Sequence, residues 1–309
     1  MKNLLVAQSG GPTSAINATL AGVVENALSS PSVDRIYGSI NGIQGVLTEN
    51  LIDLKTKLTN VSELDLLCQT PASALGSCRV KLKDPAVCAD EYETIISVLR
   101  KYNIDCFIYI GGNDSMDTVD KLSKYLNAKG ITDITVVGAP KTIDNDLCGT
   151  DHCPGFGSAA KYIGTTFAEL ERDCHVYATK AVTIVEVMGR DAGWLTAAAA
   201  LAKGEDCEGV DMIYLPEKVF DIDKFMARVK SLSEQGRSMV IAISEGIKVA
   251  DGRYVFELSD HVEFVDAFGH KQLAGSAKFL ANKIGSELGI KTRAIELSTM
   301  QRCAAHMTS

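Results

Sequence analysis

The chain has 309 residues, 46% hydrophobic and 23% charged, with a formal net charge of -8. That length allows two domains or one large one with ample core, and the acidic balance argues against a general nucleic-acid binder while leaving room for a small anion held by local cations. No stretch approaches the roughly 20 apolar residues of a membrane span, the opening apolar run is too short for a secretion signal, and the cysteines are scattered without a C-x-x-C pair, which fits a reducing cytoplasm.

In chain order, Leu4-Leu5-Val6-Ala7 reads as a buried strand. Ser9-Gly10-Gly11-Pro12 follows, then a helix from Ala15 to Leu28. Strand, glycine turn and helix aim backbone N–H groups and a helix dipole at an anion, although an ordinary tight connection has the same pattern. A second strand is predicted over Asp34–Ser39 and an irregular connection over Gly42–Leu51. Beyond Gly76-Ser77-Cys78-Arg79, Lys81 and Lys83 alternate, as phosphate ligands or as a solvated edge strand.

Helical spacing marks Glu91–Tyr102, and Cys106–Ile110 has the continuous apolar run of a strand buried on both faces. That strand ends in Gly111-Gly112-Asn113-Asp114-Ser115, whose polar residues could equally be a helix N-cap. The helix runs to Leu126, and another buried strand covers Ile134–Val137. The stretch from Gly138 to Gly157 then gathers Lys141, Asp144 and Asp146 between glycines. Further on come a helix over Ser158–Cys174, a strand over Val182–Val187, Met188-Gly189-Arg190 and an alanine-rich helix over Trp194–Ala202. Strands over Met212–Leu215 and Met239–Ile243, a helix over Ala277–Leu288 and a strand over Arg293–Leu297 complete the pattern. This alternation implies α/β architecture with doubly wound, mainly parallel sheets, whose ligands gather at the C-terminal ends of the strands.

Among candidate motifs, Asp144 and Asp146 lie two apart on an extended loop, a spacing that suits proton transfer as well as plain turn chemistry. Gly155–Ala160 matches G-x-G-x-x-A, but no strand precedes it. There is no Walker-type motif and no G-x-S-x-G elbow. Cys148, His152 and Cys153 are close in sequence but lack zinc spacing and a fourth ligand.

Taken as a set, Ser9–Pro12, Gly76–Arg79, Gly111–Ser115, Pro140–Asp146, Met188–Arg190, Ser244-Glu245-Gly246, Arg293 and Gln301-Arg302 resemble the phosphofructokinases, within them the pyrophosphate-dependent branch. The resemblance covers nearly the whole chain and implies phosphoryl transfer to the 1-hydroxyl of fructose 6-phosphate. It implies Asp144 as general base supported by Asp146, and Arg190 neutralising the transferring group. Thr142, Met188, Gly189 and Glu245 would hold the sugar, with Arg293 and Arg302 on its 6-phosphate. Gly11, Arg79, Gly112, Asp114 and Lys141 would hold the donor, with Mg2+ as cofactor. Arg293 would serve a neighbouring subunit, so a homodimer or homotetramer is expected.

Residues 1–155 would form the donor domain and 156–299 the sugar-phosphate domain, with 300–309 returning to the first. ATP-using members have glycine at the positions of Asp114 and Lys141, which favours pyrophosphate here; the ATP-dependent reaction and a non-catalytic sensing subunit are the alternatives. NAD and lipid kinases share a Gly-Gly-Asp-type loop but would lack the Thr-Ile-Asp-Asn-Asp and Met-Gly-Arg segments. Asn113 replaces a magnesium-linked aspartate, Thr299 a sugar-binding histidine and Ala181 a second intersubunit arginine, beside Lys180. The chain is also shorter than usual members, so a truncated form is expected.

Overall fold

The computed structural model describes residues 2–176, 178–259 and 275–303. Two compact units are present: one comprises Met1–Thr142, Cys153–Gly155 and the segment starting at Arg302, the other Ile143–His152 and Phe156–Gln301. The chain passes from the first unit to the second after Gly155, and the loop Ile143–His152, with Asp144 and Asp146, packs with the second unit. Of the stretch 300–309 expected to return to the first domain, 304–309 lie outside the described residues.

The first unit runs β1 (Lys2–Gln8), α1 (Ala15–Ser29), β2 (Val33–Ser39), α2 (Gly42–Leu47), β3 (Leu51–Asp53), α3 (Val61–Gln69), α4 (Ala89–Lys101), β4 (Ile104–Gly111), α5 (Asn113–Ala128) and β5 (Thr135–Pro140). Its sheet has the order β3-β2-β1-β4-β5, parallel except for antiparallel β2–β3. The chain grows outward from β1 in one direction and from β4 in the other. Such a switch in winding opens a crevice at the C-terminal ends of the two strands. One face buries Leu5, Ala7, Phe107 and Tyr109 against Tyr92, Ile95 and Leu99 of α4 and Leu122 of α5. The other buries Val6 and Ile110 against Ile16, Leu20 and Val24 of α1 and Leu64 and Leu67 of α3.

Three expectations change here. The connection from Gly42 to Leu51 is not irregular; it forms α2 and leads into β3. The residues around Lys81 form neither strand nor edge but a loop whose Leu82 is buried. Finally, β5 is the edge of the sheet and not a strand buried on both faces, leaving Val137 44% exposed.

The second unit runs α6 (Phe156–His175), β6 (Ala181–Val187), α7 (Trp194–Ala197), β7 (Met212–Tyr214), α8 (Ile222–Glu234), β8 (Met239–Ser244), α9 (Ser276–Leu288), β9 (Lys291–Glu296) and the start of α10 (Met300–Cys303), whose Arg302 and Cys303 belong to the first unit. The expected alanine-rich helix is one α turn that tightens into a 3₁₀ segment over Ala198–Ala202. All pairings in the sheet are parallel, in the order β7-β8-β6-β9. Glu186 on β6 is buried, and its carboxylate accepts the Ala277 N–H at 2.8 Å in the first turn of α9. It thus supplies the cap that the N-cap residue, Gly275, cannot. Burial, more than these hydrogen bonds can offset, raises the Glu186 carboxyl to about 7. Among the described residues no helix is long and apolar enough to cross a membrane.

In the first unit, two buried amides tie the 70–79 loop down. Asn17 on α1 donates to the Thr70 and Ala72 carbonyls at 2.7 and 2.9 Å and accepts from Ala74 N–H at 2.9 Å. Gln8 donates to Asn17 at 2.9 Å and accepts from Leu75 N–H at 2.9 Å. Replacing Asn17 by Ala removes the partner of two backbone carbonyls and one N–H in part-buried bonds, each worth about 0.5–1.5 kcal/mol. We therefore expect Asn17→Ala to lower unfolding stability by about 2–4 kcal/mol and to speed amide exchange across residues 70–79; unchanged exchange there would contradict the anchoring role.

Candidate active site

In the first unit, the ends of adjacent strands β1, β4 and β5 carry the glycine loops and Lys141 side by side. The Lys141 N–H donates to the Gly111 carbonyl at 3.0 Å, extending the β4–β5 pairing past Pro140. Its side chain is buried, and Nζ donates to the Gly11 carbonyl at 2.5 Å. Gly10, at φ +74°, and Gly112 lie so close that added Cβ atoms would sit 3.4 and 3.7 Å from that ammonium. With no side chain at either position, the loop backbones pack directly beside the ammonium. Gly112 is the N-cap of α5, so the positive end of the helix dipole faces the same region. Asn113, expected as an N-cap or metal ligand, is the first residue of the helix itself.

The arginine loop is fastened to this cradle. Ser77 Oγ donates to the Gly10 carbonyl at 2.7 Å and Ser9 Oγ to the Cys78 carbonyl at 3.4 Å. Asn41 Nδ2 donates to the Ser77 carbonyl at 3.1 Å. Arg79 is exposed on the loop so held. Asp114, in the first turn of α5, pairs with Lys81 at 3.2 Å. Arg302 also belongs to this unit, where a Cβ on Gly11 would meet its Nη1 at 2.9 Å. Thr142 donates its N–H to the Pro154 carbonyl at 3.1 Å. Gly155, which opens the G-x-G-x-x-A match, is explained by packing: a Cβ there would meet Thr13 Cβ at 2.7 Å.

In the second unit, the strand ends carry a carboxylate-rich group. Gly189, at φ +134°, turns the chain after β6. Its N–H donates to Glu245 Oε1 at 3.3 Å, and its carbonyl accepts from Ser244 Oγ at 2.6 Å. The Met188 N–H donates to Gln301 Oε1 at 3.2 Å. Gly246 leaves room for the Arg190 carbonyl, which a Cβ would meet at 1.8 Å, so any larger residue displaces the Arg190 loop. Burial raises Glu245 to about 7, the charges of Asp144 and Glu186 add to this, and the Gly189 N–H and Arg190 oppose it. Asp144 is thus close enough to Glu245 to repel it, whereas Asp146 is exposed. Asn145 between them adopts φ +57° and donates to the Asp151 carbonyl at 3.0 Å, which fixes the loop.

Arg293 is not brought to this group within the chain. It lies within β9, paired with Thr183, and its guanidinium bonds Asp173 near the end of α6 at 2.5 Å. Cys148 and His152 are exposed and Cys153 is buried; among the described residues no group of three His, Cys, Asp or Glu could hold a metal by itself. Sequence reasoning missed Gln8 and Asn17, which position the 70–79 loop through backbone contacts. No local pattern marks such residues, because their partners are distant in sequence.

The phosphofructokinase family profile matches residues 3–308. The pyrophosphate–fructose 6-phosphate 1-phosphotransferase of Xanthomonas campestris pv. campestris is 44% identical over 99% of this chain and 72% of its own length. That of Methylococcus capsulatus is 41% identical over 100% of this chain and 72% of its own. The crystal structure of the pyrophosphate-dependent phosphofructokinase of Nitrosospira multiformis superposes with a TM-score of 0.84 at 38% identity, covering 99% of this chain and 71% of that one. With glycine loops at the strand ends, a buried lysine beside them and a carboxylate–arginine group on the second sheet, the chain belongs to the phosphofructokinase family.

Proposed function

We propose that the chain transfers a phosphoryl group reversibly from pyrophosphate to the 1-hydroxyl of fructose 6-phosphate, giving fructose 1,6-bisphosphate and phosphate. The observation that carries the donor assignment is the Lys141 ammonium, buried against the Gly11 carbonyl between two glycine loops. A compact cation beside a helix N-terminus suits a small, densely charged anion. Relatives named for this reaction, covering 72% of their length, support the same reading.

In this reading the first unit holds the donor through Gly11, Arg79, Gly112 and Lys141. In the second, Met188, Gly189 and Glu245 hold the sugar, with Thr142, Arg302 and Arg293 completing its contacts. In this reading Arg293 acts on a neighbouring copy in a homodimer or homotetramer. Asp144, aided by Asp146, takes the proton of the 1-hydroxyl as that oxygen bonds to phosphorus. The bond from phosphorus to the bridging oxygen breaks, and phosphate leaves with the electron pair. Arg190 offsets charge on the group in transit, which is the main help a protein gives this reaction.

Mg2+ takes one or two protein ligands together with substrate oxygens and water. In this reading Asn113, in the first turn of α5, would be the protein-side ligand. When bound, the ion offsets diphosphate charge. The free cysteines fit a cytoplasmic enzyme.

Fructose 1,6-bisphosphate formation should be faster with pyrophosphate than with ATP; faster turnover with ATP would overturn the donor assignment. Asp144→Ser should lower kcat by about 10²–10⁴-fold with little change in KM for the sugar, and wild-type turnover would refute its role as base. Glu245 is neutral below about 7 and ionises as pH rises through that value. A carboxylate accepts hydroxyl hydrogen bonds more strongly than its acid. KM for fructose 6-phosphate should therefore fall across that range in the wild type more than in Glu245→Gln, a comparison that cancels titration of the substrate phosphate. Parallel profiles would remove Glu245 from the sugar site.

A further inference from the structure

We propose that Lys81 is a positioning residue for the donor: it neutralises Asp114, so that the mouth of the anion cradle accepts a diphosphate. The inference rests on the donor reading given above. Asp114 sits two residues beyond Gly112, whose backbone borders the Lys141 ammonium. A carboxylate there suits the dipole of α5 but opposes an approaching polyanion. Lys81 Nζ, 3.2 Å from Asp114 Oδ1, removes that opposition.

The base of the Lys81 side chain is fixed from several directions. The Leu82 side chain is buried. The Leu82 carbonyl accepts from Lys121 Nζ of α5 at 3.1 Å, and the Lys83 carbonyl from Tyr92 Oη at 2.7 Å. On the other side, Ser77 and Cys78 are bonded to the Gly10 loop. The same loop thus carries Arg79 and Lys81 on a backbone tied to both the β1 loop and α5. Lys81 and Asp114 are 53% and 41% exposed, so the pair adds little to stability. Its consequence is the sign of the field at the entrance to the cradle, which a charged ligand feels more than the fold does.

The test is calorimetric titration of the whole chain with pyrophosphate, for wild type, Lys81→Ala, Asp114→Asn and the double variant, with KM and kcat for pyrophosphate alongside. Lys81→Ala should weaken pyrophosphate about tenfold, raising KM more than it lowers kcat and leaving the thermal midpoint unchanged. The double variant should regain affinity to within about twofold of wild type, because no charge is then left to neutralise. Undiminished affinity in Lys81→Ala would overturn the inference. So would a double variant as weak as Lys81→Ala alone, since Lys81 would then act on the donor directly. A wild-type chain that binds no pyrophosphate would overturn the donor reading itself and this inference with it.

Discussion

The first unit depends on keeping a full positive charge out of water at the end of β5. Lys141 is 3% exposed, and holding its ammonium there is unfavourable unless backbone dipoles and an anion surround it. Much of the nearby structure follows from that requirement. Gly10 and Gly112 leave no side chain beside the ammonium, and the Gly11 carbonyl accepts its hydrogen bond. The Gly111 carbonyl takes the Lys141 N–H, so the lysine is placed by the sheet and not by a flexible loop. The winding of the sheet, outward from β1 and β4 in opposite directions, creates the crevice that the lysine borders.

The second unit handles the opposite charge. Glu245 and Glu186 are both raised to about 7, chiefly by burial, and Asp144 adds to the repulsion at Glu245. Such a group tolerates its own negative charge only with N–H donors and a nearby guanidinium. Gly189 and Arg190 supply these at Glu245, and the first turn of α9 supplies N–H groups at Glu186. Glycines at 189 and 246 are steric necessities, since side chains would strike the Ala192 and Arg190 carbonyls at 2.4 and 1.8 Å. Crowded backbone thus keeps the arginine and carboxylates in one arrangement before any substrate arrives.

How far the sequence was legible follows from these forces. Central strands announce themselves through apolar runs: β1, β4, β6 and β8 are legible within a few residues of their ends, because burial on both faces leaves few polar positions, such as Gln8 and Glu186. Edge strand β5 has the same composition, and only its place in the sheet reveals its exposure. Helix α8 carries its signal in sequence, with Phe225, Met226, Val229 and Leu232 buried on one stripe behind the Asp221 cap. The motif residues of the candidate site are local in sequence and therefore readable. The polar residues that position them are not: Asn17 meets the 70–74 backbone and Lys81 meets Asp114 only because the fold brings distant segments together. Arg293 shows the converse, a motif residue that the fold turns towards Asp173.

The central claim is that Lys141, set among the glycine loops, selects pyrophosphate as the donor. The most direct measurement is kcat/KM for pyrophosphate and for ATP in the wild type and in Lys141→Gly. Removing a buried, directly hydrogen-bonding cation costs several kcal/mol of transition-state stabilisation. The account predicts a loss of about 100-fold or more with pyrophosphate and no comparable loss with ATP. Equal losses with both donors, or none with pyrophosphate, would contradict it.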